Sequence, residues 1–388
     1  MPKKSDNYVI QSIEYGRYGP AIRICNGTVE AVIIPSISRV MHYSLVGEEN
    51  VLWLDPPRKG RVDPDEWIGI GGSRIWLWPE SEWELRTGRA WPPLPTYDEP
   101  SEAKIAPDGR TVVLRSPVHA AYGVRIVRSV RLEDRGTKLI STTRLVPEPG
   151  MKTQAAAPWE ICKISPPEWG LARVSKLTED DPGYKWLLRE RDALTIGQWD
   201  AGYLQITEAR ADHVGKVGMN GDQLVAKRGK RLFAQRNLAA SSGTYQPYAR
   251  LQWYKSAKLA LPKSSEKCFV ELEHTAPVCL PTDDTPPLVV EWSILKLAED
   301  QPSREDLEFH LSALSESVSR SMCPQYSSHH EVAGIPGGST IPGNPSAHQK
   351  NPDFSGVSYR GDRIRTPNPS TKTRNLLGKM KHRRKSWC

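Results

Sequence analysis

From residue 8 to residue 54, apolar and polar side chains alternate in short runs: YVIQSIEY, AIRICNG, TVEAVIIP, RVMHYSLV and NVLWL. Gly, Pro, Asn or Ser interrupts them every 8 to 12 residues or so, the spacing of a sandwich or barrel. Period two puts one face of each run on a core and the other toward solvent. The run at 28–35 is mostly apolar and β-branched, as a central strand is. A Pro- and charge-rich loop at 55–68 and an extended rim loop at 91–100, with four Pro, cannot be regular structure. The alternation resumes at residue 102, where EAKIAPDGRTVVLRSP reads as two strands joined at Pro-Asp-Gly. A long hairpin follows, turning at 133–136. AAAPWEICKISPP at 155–167 is a further strand, and more are predicted at 171–176, 184–188, 203–207, 213–219, 231–237, 249–255, 267–274 and 288–297. Helical periodicity is nearly absent before residue 300, so the fold class is all-β. The exception is 303–320, where Ser303 caps a helix whose Leu307, Leu311, Leu314 and Val318 form one stripe.

Composition narrows the class. With 388 residues, 25% of them charged and 38% hydrophobic, the chain reads as a globular protein long enough for one large domain of about 250–300 residues with appendages, or for two ordinary ones. No run approaches the ~18 uncharged apolar residues of a membrane helix, and the basic start has no apolar segment of a secretory signal. The six Cys are scattered without metal or CxxC spacing, which predicts free thiols in a reducing compartment, the cytoplasm. The formal charge of +8 is uneven. Residues 320–388 hold about 12 Lys and Arg against about 3 Asp and Glu, roughly +9, so the rest is close to neutral. That last stretch is rich in Gly, Pro, Ser and Asn and poor in apolar residues, which predicts disorder. The expected organisation is a short arm at 1–7, a β-sandwich over 8–298, the helix at 303–320 and a basic tail over 321–388.

Candidate chemistry concentrates at 69–97, GIGGSRIWLWPESEWELRTGRAWPPLPTY. Six of the 13 Trp (Trp53, Trp67, Trp76, Trp78, Trp83 and Trp91) fall there or just before, against only 4 Phe in the whole chain. If 73–80 is extended, Arg74, Trp76, Trp78 and Glu80 share one face, and Ile75 and Leu77 the other. Flat aromatic area flanked by a cation and a carboxylate suits a ligand with apolar C–H faces and polar edges, such as a sugar. The competing reading is that these Trp are core, with Arg74 stacked structurally. Gly69, Gly71 and Gly72 suit a close backbone approach or positive φ. The run is no phosphate loop, since no Lys-Ser/Thr and no helix follow it.

The order of these features resembles the galactose mutarotase-like superfamily. VEAVIIPSISRVMHYSL is similar to its N-terminal strand pair. GGSRIWLWPESEW followed by WPP resembles a branch of it, a domain of unknown function carrying Gly-Gly-x-Lys/Arg-x-Trp-x-x-Pro-Glu/Gln. APWEICKISPP, FVELEHTAPVCLP at 269–281 and VEWSI at 290–294 match as well. The resemblance spans about 8–298 and implies a large antiparallel β-supersandwich with a carbohydrate-binding cleft. It also implies acid/base chemistry: one group protonates the sugar ring oxygen while another takes the anomeric hydroxyl proton. In that family a His is the acid and a late-strand Glu the base. Glu271 or Glu273 stands in place of the Glu, and Arg74 in place of a sugar-contacting Arg. No His-Gly-Gly occurs, and Pro158-Trp159-Glu160 stands where a second His is expected, so the family pair is not intact.

The catalytic candidates are therefore Glu271, Glu160 and His119, with Arg74, Trp76, Trp78, Glu80, Trp159 and Glu273 binding substrate. His274 stands beside His119 as a candidate titrating group. Two carboxylates about one oxygen would also fit glycoside cleavage, with Glu80, Glu160 and Glu271 as candidates. No metal cluster or G-x-S-x-G nucleophile is present, and no cofactor is implied. The expected partner is a mono- or oligosaccharide, taken either by an aldose epimerase-like isomerase or by a non-catalytic sugar-binding module. A third reading, nucleic-acid contact, could rest only on the basic tail.

Overall fold

The computed structural model describes residues 7–55, 70–88, 98–175, 180–188, 191–200, 202–239, 245–257 and 268–316. All of them belong to one compact unit, Met1–Ser321. The alternating runs assemble into two ten-stranded sheets, antiparallel throughout their described pairings. The first begins with β1 (Val9–Glu14), β2 (Pro20–Cys25), β3 (Val29–Ile34), β4 (Arg39–Leu45) and β5 (Ser73–Trp78). It continues with β10 (Ala157–Ile164), β19 (Val270–Thr275), β18 (Leu251–Lys255), β15 (Gly215–Met219) and β12 (Tyr184–Trp186). The second runs β13 (Leu194–Asp200), β14 (Tyr203–Glu208), β11 (Trp169–Val174), β16 (Gly221–Arg228) and β17 (Arg231–Asn237). Its remainder is β20 (Leu288–Lys296), β9 (Leu139–Pro147), β8 (Val124–Leu132), β7 (Thr111–His119) and β6 (Glu102–Ile105). The helices among the described residues are α1 (Trp83–Thr87) and α2 (Arg304–Glu316), and none is long and apolar enough to cross a membrane.

The inward faces close on a shared core. Tyr43, Phe233 and Trp292 meet there, with Trp292 5.6 Å from Tyr43 and 5.8 Å from Phe233, both edge-on. Each such side chain contributes roughly 1.5–3 kcal/mol by leaving water. A polar seam crosses the same layer. Arg128 of β8 reaches the Ser73 carbonyl of β5 at 3.1 Å, and His274 of β19 meets Gln235 of β17 at 3.2 Å. These contacts fix which face of the first sheet points inward, and hence which points away from the second. Part of the outer face of the second sheet is covered by α2, whose Leu307, Leu311 and Leu314 lie on Leu171, Val225, Leu232 and Ala234. Ser303 caps α2 as expected: the Asp306 N–H donates to Ser303 Oγ at 3.1 Å, and the Ser303 N–H donates to Asp306 Oδ2 at 3.2 Å.

Three expectations change. Residues 50–54 form no strand; Leu52 and Leu54 make isolated bridges to Ile164 and Gly71, because Asn50 turns the chain by bonding backbone on both sides. β13 and β16 were not foreseen. In β16 both faces are buried, one in the core and one under α2, so the alternation that marks a half-wetted strand is missing. In β13, an edge strand, Gly197 interrupts the pattern. Val318, the tail from 321, most of both Pro-rich loops, Gly69, Trp67 and Trp91 lie outside the described residues.

Candidate functional site

Register decides what shares a face. Across the middle of the first sheet Trp76 stands opposite Trp159, which stands opposite Thr275. In the next row of the same face Arg74 opposes Ile161, then Glu273, then Gln252. One row further, Lys163 opposes Glu271, then Tyr254, then Lys216. Trp78 extends the aromatic end of this face. Every one of these side chains points away from the second sheet, since the intervening residues Ser73, Glu160 and His274 make the inward contacts.

The aromatic end is a cluster of indoles packed edge-to-face, the arrangement their quadrupoles prefer. Trp159 lies 5.6 Å from Trp76 and 5.1 Å from Trp78. Helix α1 adds Trp83, 5.3 Å from Trp76, held in place where its indole N–H donates to the Leu77 carbonyl at 2.8 Å. Gly71 and Gly72 allow the strand to enter. Both have positive φ, and a Cβ at Gly72 would come within 2.5 Å of the Val40 carbonyl oxygen.

The polar end begins at Arg74. Its guanidinium lies 3.5 Å from the Trp76 ring centre and 3.6 Å from Glu271 Oε1. Lys163 Nζ approaches the same oxygen at 3.5 Å and stands 3.9 Å above Phe269. Glu273, buried completely, accepts the Trp159 indole N–H at 3.0 Å and pairs with Lys216 at 3.0 Å. Burial, with the Arg39 charge added and Glu271 opposing, lowers Arg74 to about 10. Burial likewise lowers Lys163 to about 7, with Arg74 and Arg39 adding to the effect while Glu271 resists it. The Glu273 carboxyl moves the other way, raised by burial against the pull of Lys216, with Glu271 and Glu80 pushing it further up.

Among the described residues, three buried polar atoms of this face have no hydrogen-bond partner: Trp78 Nε1, Glu273 Oε1 and Gln252 Oε1. An orphaned buried donor or acceptor costs about 1–3 kcal/mol, which a bound hydroxyl or water would recover. The face is otherwise closed. Trp76 and Trp159 are 2% exposed and Glu273 0%, while the Glu271 and Lys216 side chains reach solvent at 11% and 12% and Tyr254 is half-buried.

The structure therefore brings together Arg74, Trp76, Trp78, Trp159, Glu271 and Glu273, with Glu80 following β5 in a single 3-10 turn. Glu160 and His119 are not brought to this face. Adjacent strand residues alternate, so Trp159 on the outer face forces Glu160 inward. There it accepts from Ser141 at 2.8 Å and from the Trp292 indole at 3.0 Å, and it pairs with Arg128 at 3.3 Å. Its oxygens are occupied by structural donors. His119, also buried, lies between the sheets beside Ile75, Leu114 and Arg128, and burial lowers it to about 4. His274 is inward too, lowered by burial to about 3. Sequence reasoning missed Lys163, Lys216 and Gln252. Lys163 was within reach, since parity from Trp159 puts 161 and 163 on its face; Lys216 and Gln252 needed the strand order. No group of three or more His, Cys, Asp or Glu among the described residues is arranged to hold a metal ion.

No family model matches the chain, and no curated protein matches it. Among solved structures it is similar to YeaD from Salmonella typhimurium, a proposed mutarotase, at 13% identity and a TM-score of 0.49, over 71% of this chain and 90% of that one. It is similar also to a proposed aldose 1-epimerase from Escherichia coli K12, at 13% identity and 0.44, over 75% of this chain and 100% of that one. A galactose mutarotase-like protein from Clostridium acetobutylicum aligns at 8% identity and 0.41, over 75% and 99%. All three TM-scores are below 0.5.

Proposed function

We propose that the outer face of the first sheet binds a mono- or oligosaccharide and acts as an acid/base isomerase on an aldose. One observation carries this reading: Arg74, the indoles of Trp76, Trp78 and Trp159, and the carboxyls of Glu271 and Glu273 occupy adjoining rows of a single face. Indole surface takes the C–H side of a pyranose, and the charged groups and orphaned polar atoms take its hydroxyls. Ring opening needs a proton delivered to the ring oxygen and one removed from the anomeric hydroxyl. Glu273, its carboxyl raised by burial, is the proton donor in this scheme. Glu271, held in place by Arg74 and Lys163, is the base. Glu80 and Lys216 border the site. Glu160, His119 and His274 have no part in it.

The alternative is a sugar-binding module without turnover, favoured by the burial of Arg74 and Glu273, at 2% and 0% exposed. Adding the protein to freshly dissolved α-D-glucose or α-D-galactose and following optical rotation separates the two. Faster decay to equilibrium than in buffer, abolished by Glu271→Gln, supports the isomerase. Binding without acceleration selects the module, and neither effect with any aldose or glycoside removes the carbohydrate reading. The free thiols of Cys25, Cys162, Cys268 and Cys279 favour a reducing compartment, the cytoplasm.

A further inference from the structure

A second concavity lies on the outer face of the other sheet, where α2 begins. Trp169 opposes Lys227 across β11 and β16, and Leu171 opposes Gln205 across β11 and β14. Parity therefore puts Trp169, Lys227 and Gln205 on the face that α2 only partly covers. A cavity of about 310 Å³ opens there, lined by these three with Trp199, Glu168 and Asp300. That volume is at the lower end of the range for small-molecule sites.

The lining is built. Lys227, only 1% exposed, forms the floor, donating to Glu168 Oε2 and, at 3.2 Å, to Asp300 Oδ1. Glu168 is fixed again by the Gly229 N–H at 2.8 Å. Two carboxylates with side chains 48% and 63% exposed, which would otherwise sweep many rotamers, are thus held at the rim. Trp199 is braced by Tyr203, 6.0 Å away and edge-on, and by the Arg304 guanidinium 5.2 Å from its ring. A buried ion pair is weak evidence of stabilisation, because desolvating the ammonium offsets the attraction. Its definite effect is to fix positions.

Charge selects the ligand. The Lys227 ammonium is shared by the two rim carboxylates, and solvent screens what charge is left on groups so exposed, so an added cation gains little, and an anion would meet both carboxylates. What remains is a mixture of donors and acceptors, the Gln205 amide, the ammonium and the carboxylate oxygens, set beside the rings of Trp169 and Trp199. Hydroxyl groups, which donate and accept at once, match that mixture, and indole surface matches a pyranose C–H face. We propose that this cleft is a binding site for one uncharged pyranose unit, separate from the tryptophan face of the first sheet.

Saturation-transfer NMR of the full chain with methyl α-D-glucopyranoside and methyl β-D-galactopyranoside tests it, because methyl glycosides cannot open and report binding alone. The Arg74→Met chain, with the first-sheet face disabled, is expected to keep its signal with at least one of these glycosides. Trp199→Ala and Gln205→Ala are each expected to weaken that binding about fivefold. Gln205 is half-buried at a strand surface, so its variant keeps the fold and decides the matter if Trp199→Ala does not. Absence of a signal in the Arg74→Met chain, or affinity untouched by Gln205→Ala, overturns the proposal. Neither result bears on anomer exchange at the tryptophan face.

Discussion

Glu160 offers the sharpest separation between chemistry and architecture. It stands beside Trp159 in a strand that crosses the candidate site, yet it is fully buried between the sheets against Arg128. Replacing it with Met leaves the Arg128 guanidinium in a dry layer, together with the indole N–H of Trp292 and the hydroxyls of Ser141 and Ser73. Breaking a buried pair by removing one partner costs about 3–5 kcal/mol. Arg128→Met is expected to cost less near neutrality, because the Glu160 carboxyl can take up a proton; burial already raises its pKa, with Arg128 the main group opposing. The cost of that variant therefore grows as the pH rises. In the double variant no buried charge remains, and only the orphaned donors are left, at about 1–3 kcal/mol each. It should be more stable than Glu160→Met alone, with a coupling free energy of at least ~2 kcal/mol.

Urea unfolding of the full chain followed by tryptophan emission measures this, since unfolding carries Trp292 and the other buried indoles into water, and matched slopes are required before midpoints are compared. Two results refute the assignment. Additive single costs would mean that the two side chains do not see each other. A Glu160→Met chain of unchanged stability that had lost anomer exchange would make Glu160 part of the chemistry.

Arg74→Met should remove aldose binding at the first-sheet face with a loss of at least tenfold, because both the cation over Trp76 and the partner of Glu271 go at once; isothermal titration or NMR measures it. Gly72→Ala should destabilise by more than about 1 kcal/mol in the same urea assay, since positive φ and the Val40 carbonyl both exclude a Cβ there. Lys163, lowered to about 7, is neutral in the fold where the unfolded chain still holds its proton, so stability from this group is complete only above its ordinary pKa and is lost as the pH falls toward 7. Between pH 7.5 and 9.5 the wild type should therefore gain on Lys163→Met by up to ~1.4 kcal/mol per pH unit; parallel pH dependences would refute the shift. Trp83→Ala should cost about 3–5 kcal/mol by opening a cavity against Trp76 and Trp159, read as a lower melting temperature.

What the sequence made legible follows from period two. The parity that groups Arg74, Trp76 and Trp78 against Ile75 and Leu77 is local, needs no partner strand, and is the parity of β5 in the structure. The same rule, applied to β10, separates Trp159 from Glu160 and joins Trp159 to Lys163; grouping 159 with 160 by adjacency ignored it. Other parts of the face could not be read in this way. Lys216 and Gln252 meet Glu273 only because β15 and β18 follow β19 in the sheet, an order set by long connections and not by any local pattern. β16 went unseen for a related reason: α2, more than seventy residues later in the chain, buries its second face and erases the alternation. Strand parity thus fixes the composition of a face one strand at a time, while the polar half of this site depends on which strands become neighbours. Glu273 shows the consequence: its partners Trp159 and Lys216 come from strands on opposite sides of β19, so its raised carboxyl pKa is a property of sheet order.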